Sequence, residues 1–201
     1  MAGAVAAGYT PTLDTTAIDD AIARGQSRIE SLRTRYHEPY RMRVGRPPVD
    51  YMDLVTPFRR IVIAAEARAR VGDRFRQSDA LALAATYGQD IEFFIELTFH
   101  PLNTYVGMPP YTATLARAGS PGRIAAIDTQ RVPRFGARVE GLPIPYPATP
   151  RLPPGGQPLL GGTLVARFAG RRLEPGGVYE VIVEESGKEL ARARIDLGAL
   201  R

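Results

Sequence analysis

The chain has no cysteine, no tryptophan, a single lysine (Lys188) and only two histidines among its 201 residues. Without cysteine there can be no disulfide, no thiolate nucleophile, no cysteine-based zinc or iron–sulfur centre and no lipidated cysteine. Two histidines, His37 and His100, are too few for a zinc site unless the fold joins them to a carboxylate, and nothing in their spacing does so. We therefore expect no metal and no cofactor. No apolar run reaches the roughly 18–20 residues that cross a bilayer, so no membrane span is expected. What remains is an ordinary globular composition, 44% hydrophobic and 23% charged, with enough chain to bury a sizeable core.

The net charge is +5 and every basic residue but Lys188 is an arginine. Arginine, alanine, glycine and proline all have GC-rich codons, so a GC-rich bacterial genome accounts for much of this bias. The basic residues are scattered, and their longest runs are the pairs Arg59-Arg60 and Arg171-Arg172. A nucleic-acid binder gathers its cations on one face or helix, so that reading stands as a second alternative only. Near the start, Ala4-Val5-Ala6 has the small-residue pattern of a signal-peptidase site, although a charged start and an apolar core are missing. On this ground we expect export to the periplasm or beyond, with residues 1–14 a flexible terminus; a cytoplasmic protein is the alternative.

Residues 15–88 read as helical. One helix is expected over 15–37, with Ile18, Ile22, Ile29, Leu32 and Tyr36 on one stripe, Thr16 and Asp19 as a weak capping box, and Gly25 on the same stripe. Gly25 costs about 1 kcal/mol there unless something packs closely against it. Residues 38–55, with Pro39, Gly45, Pro47 and Pro48, are expected to be irregular. Thr56-Pro57 caps a second helix over 57–71 that stops at Gly72, with a strand over Arg60-Ile61-Val62-Ile63 as the competing reading, and Ser78 caps a third through Tyr87, ended by Gly88.

From residue 90 the pattern becomes that of strands. Candidates are 91–99, 104–107, 111–117, 123–130, 134–139, 162–169, 178–184 and 189–197, separated by glycine and proline turns. Ser186-Gly187 between the alternating runs of Tyr179-Val181-Val183 and Ala191-Ala193-Ile195-Leu197 marks a hairpin. Residues 143–158 hold seven prolines and read as a strap. The expected fold is therefore α+β: N-terminal helices packed on a C-terminal antiparallel β-sandwich (90–201) of immunoglobulin-like size.

The sequence offers no catalytic constellation. Ala118-Gly119-Ser120-Pro121-Gly122 resembles a nucleophile elbow only loosely and lies between strands rather than before a helix. Gly155-Gly156 and Gly161-Gly162 lack the Lys and Ser/Thr of a phosphate loop. Asp19-Asp20 and Glu184-Glu185 are explained by a helix start and a hairpin tip. The loop from Phe99 to Tyr111 stands apart, with aromatic rings, a thioether and an amide among three prolines. His100, Asn103, Tyr105, Met108 and Tyr111 are its candidate binding residues, for an unidentified protein partner or small ligand. The sequence thus points to a non-enzymatic binding or structural module of the bacterial cell envelope. The first alternative is a hydrolase-like enzyme with carboxylates assembled from distant positions.

Overall fold

The computed structural model describes residues 8–136 and 157–200. Among these, four helices and two antiparallel sheets form an α+β fold with a sandwich-like arrangement. The helices are α1 (Thr15–Gly25), α2 (Glu30–His37), α3 (Pro57–Arg70) and α4 (Gln77–Tyr87). The strands are β1 (Arg41–Arg46), β2 (Val49–Val55), β3 (Ile91–Thr98), β4 (Tyr111–Arg117), β5 (Arg123–Ala125), β6 (Asp128–Phe135), β7 (Leu159–Phe168), β8 (Val178–Glu185) and β9 (Lys188–Asp196). The larger sheet has the order β1-β2-β3-β7-β6 and the smaller β5-β4-β8-β9. No described helix is long and apolar enough to cross a membrane.

Period-two alternation builds the sandwich core. Phe93, Ile95 and Leu97 of β3 and Leu164, Ala166 and Phe168 of β7 face Ala113 and Leu115 of β4, Val181 and Val183 of β8, and Ala191, Ala193 and Ile195 of β9. The β8–β9 hairpin turns at Ser186-Gly187 as expected. Both residues have positive φ, +50° and +81°, which matches the right-handed twist of the paired strands.

Several expectations require correction. The first helix is two: it stops at Gly25 and resumes at Glu30, and Asp14 rather than Thr16 caps it, accepting from the Ala17 amide. The break has a steric cause at its start. Position 25 lies against α3 so closely that a Cβ there would stand 2.4 Å from the Val62 carbonyl oxygen. Glycine allows the two backbones to touch. Beyond that crossing the stripe leaves the protein surface behind, and Ile29 and Leu32 are exposed instead of buried.

Residues 38–55 are ordered rather than irregular. After a 3-10 turn at Glu38–Tyr40, β1 and β2 pair as a hairpin turning at Pro47-Pro48, and β2 joins β3, so the helical and sandwich segments of sequence share one sheet. Residues 104–107 form no strand but part of a loop, and 123–130 splits into β5 and β6 where the chain passes from one sheet to the other. The start of 134–139 belongs to β6 and its remainder lies outside the described residues, as does the strap 143–158 except for Gln157 and Pro158. Finally, the terminus is fastened at Tyr9. Its ring is buried in the sandwich core, its amide donates to the Leu197 carbonyl at 2.9 Å and its hydroxyl to the Gln89 carbonyl at 3.2 Å.

Candidate binding surface

The loop between β3 and β4 carries the chain from the larger sheet to the smaller at one end of the sandwich. It is pinned by a single amide side chain. Asn103 donates from Nδ2 to the carbonyls of His100 (2.7 Å) and Leu159 (2.9 Å), and its Oδ1 accepts from the Tyr105 amide (3.0 Å). His100 Nδ1 accepts from the Leu102 amide at 3.1 Å, and the Phe99 amide donates to the Leu160 carbonyl at 2.9 Å. His100 and Asn103, expected to meet a ligand, are thus occupied in shaping the loop.

The rings form a staircase out of the core. Tyr111 and Phe99 are buried, 6.2 Å apart between centroids, and Tyr105 stands edge-on to Phe99 at 5.1 Å with 39% of its surface exposed. Burial pushes the Tyr111 phenol well above its ordinary range, so this ring belongs to the floor of the loop. Met108 is partly buried and packs on the sandwich core, its sulfur over Gly162. Of the five candidates only Tyr105 presents a large apolar surface outward. The large apolar side chains that the loop exposes most are Leu102 (65%) and Val106 (84%), and Phe135 and Leu160 are exposed at the paired ends of β6 and β7. Leu102 and Val106 were passed over because a lone aliphatic residue in a loop carries no chemical signature; exposure alone distinguishes it.

The helical side holds a second feature that sequence reasoning missed. Arg59 is buried and donates from Nη1 to Asp53 (2.6 Å) and to the Leu54 carbonyl (2.5 Å), from Nη2 to Asp53 (3.2 Å), and from Nε to His37 Nδ1 (3.1 Å). A guanidinium can only donate, so His37 Nδ1 is an acceptor and its proton sits on Nε2, aimed at Glu66 Oε1 3.0 Å away. Tyr40 lies against the Arg59 guanidinium at 4.7 Å, and Tyr36 and Tyr40 share a hydroxyl contact of 3.1 Å. Burial, then the neighbouring Tyr40, raises the Tyr36 phenol far above its ordinary range. Beside this chain Arg60 pairs with Glu92 at 3.1 Å. The fold therefore does assemble distant carboxylates, but Asp53 is held by Arg59 and Glu66 by His37, Arg33 and Arg70. A paired acid and base for hydrolysis needs carboxyl groups free to exchange protons with substrate.

His37 and His100 make separate contacts, the first with Glu66 and Arg59, the second within its own loop. Among the described residues no group of three or more histidine or acidic side chains is placed to hold a metal ion. Some exposed arginines are answered by acids, as in Arg123–Glu184, Arg117–Glu174 and Arg134–Glu96, and the Arg59-Arg60 pair is internal. Compared with protein-family models, curated proteins and solved structures, the chain finds no match in any of the three.

Proposed function

We propose that the protein is a non-enzymatic binding module of the bacterial cell envelope that recognises a partner protein through the Phe99–Tyr111 loop and the adjoining ends of β6 and β7. One observation carries this reading: Val106 and Leu102 are the most exposed large apolar residues of a loop that is tied down by Asn103. Apolar side chains held out on an ordered loop lose little entropy when a partner covers them. Tyr105 adds amphipathic area of the kind enriched at interfaces. The placement in the envelope rests on the arginine- and alanine-rich composition and on Ala4-Val5-Ala6.

The test uses Leu102→Ser/Val106→Ser together with a photo-crosslinking residue at 106. Both altered side chains are exposed, so melting should stay within about 1–2 °C of the parent. A crosslinker at 106 should give one discrete adduct in envelope fractions of the native host, which the same probe at Glu180 on the opposite sheet does not. The double variant, with the probe moved to 105, should lose that adduct. An adduct that survives the double substitution, or none at 106, overturns the reading.

A further inference from the structure

A cleft of about 550 Å³ opens between α1, α2 and α3. Its existence follows from the break at Gly25. The chain leaves α1 at the close crossing with α3 and returns as α2, a helix with no buried residue, so a gap is left under it. The floor and one wall are apolar: Ala23, Leu32, Tyr36 and Val62. Leu32 is half exposed because nothing among the described residues covers it. The remaining wall is cationic, with Arg24, Arg33 and Arg35 facing a single acid, Asp20. Arg24 is tied to Asp20 at 3.2 Å and Arg33 reaches Glu66 at 4.0 Å and the Ser27 carbonyl. Arg35 is exposed and makes no ion pair among the described residues.

We infer that this cleft binds a small anionic amphiphile, an alkyl or aryl carboxylate, with its acid group on Arg35 and Arg33 and its apolar body along Leu32, Tyr36 and Val62. With Asp20 set against Arg24 and Glu66 against Arg33, Arg35 leaves the wall with net positive charge, which selects the sign of the head group. A planar guanidinium suits a carboxylate, to which it donates in a fork. The volume lies in the range of small-ligand pockets, about 300–1,000 Å³, and is too small for a partner helix. The site is independent of the loop on the sandwich, so either can fail without the other.

Titration calorimetry with dodecanoate below its micelle concentration, and with dodecanol as the uncharged counterpart, tests the inference on the full chain. Saturable one-to-one binding of dodecanoate is expected, with dodecanol roughly tenfold weaker or more. Arg35→Gln, at an exposed position, should weaken dodecanoate by a similar factor without changing dodecanol or the melting temperature. Ala23→Phe should fill the cleft and abolish both; should it unfold the protein, Arg35→Gln still decides. Equal binding of acid and alcohol, an unaffected Arg35→Gln, or association only with anionic phosphatidylglycerol vesicles would overturn the proposal.

Discussion

The two cores of this protein are built on opposite terms. In the sandwich no described buried side chain is charged, and its strands meet through side chains that alternate in and out. In the helical layer a small apolar cluster of Ile18, Ala21, Phe58, Ile61, Val62, Ala65, Phe75 and Ala80 lies beside buried charge. The buried polar and charged residues, Thr56, Arg59, Arg60 and Glu66, all belong to α3 or its cap. Two of them carry the join between the layers, Arg59 to Asp53 of β2 and Arg60 to Glu92 of β3. Hydrophobic area holds each layer together; ion pairs fix how one sits on the other. Apolar packing tolerates sliding, whereas a buried guanidinium has one acceptable position, because leaving it unpaired costs several kcal/mol, about 3–5.

That contrast can be broken from either side. Val183→Asp puts a carboxylate at the fully buried centre of β8 and should cost about 5 kcal/mol, most of the stability of an ordinary domain. Chemical denaturation measures it, and a loss below about 1 kcal/mol would mean the core is not as described. Asp53→Ala, at the seam, should cost about 3–5 kcal/mol by stranding Arg59, while Glu174→Ala, which removes an exposed partner of Arg117, should cost under about 1 kcal/mol. Equal losses at the two sites would erase the distinction between seam and surface.

The smallest effect is one of pH. Glu189 accepts a hydrogen bond from Arg192, which holds its carboxyl below the ordinary range in the folded protein. A carboxyl depressed on folding stabilises at neutral pH, and that contribution fades as pH falls through its folded value. An NMR titration should place Glu189 below the usual glutamate range, with Arg192→Gln returning it there and hardly moving the melting temperature.

The same contrast governs what could be read from the sequence. Alternation is a local signal, so the β8–β9 hairpin, β3 and β4 were legible residue by residue, and Thr56-Pro57 announced α3. The seam is made of residues that are unremarkable in isolation. His37, Asp53, Arg59 and Glu66 lie on α2, β2 and α3, and nothing in their spacing shows that the chain brings them together. Arg59 and Arg60 stood out only as a basic pair, since an arginine is seldom buried without a partner that sequence cannot name. Gly25 was recognised as needing a close neighbour, but not as the place where the helix ends. In the loop, attention went to residues with functional groups. Asn103, Met108 and Tyr111 turned inward to shape it, and Leu102 and Val106 were left outside.

The position of β7 sets an order on synthesis. β3 pairs with β2 on one side and β7 on the other, and β7 is made only after the loop, β4, β5 and β6. A nascent chain that has produced the helices and the first three strands therefore carries β3 as an open edge, with Phe93, Ile95 and Leu97 on a face whose opposing sheet does not yet exist. Such edges template pairing with other chains. A ribosome stalled before residue 159 would hold an assembled helical layer on an unfinished sheet, the state of this protein most in need of a chaperone.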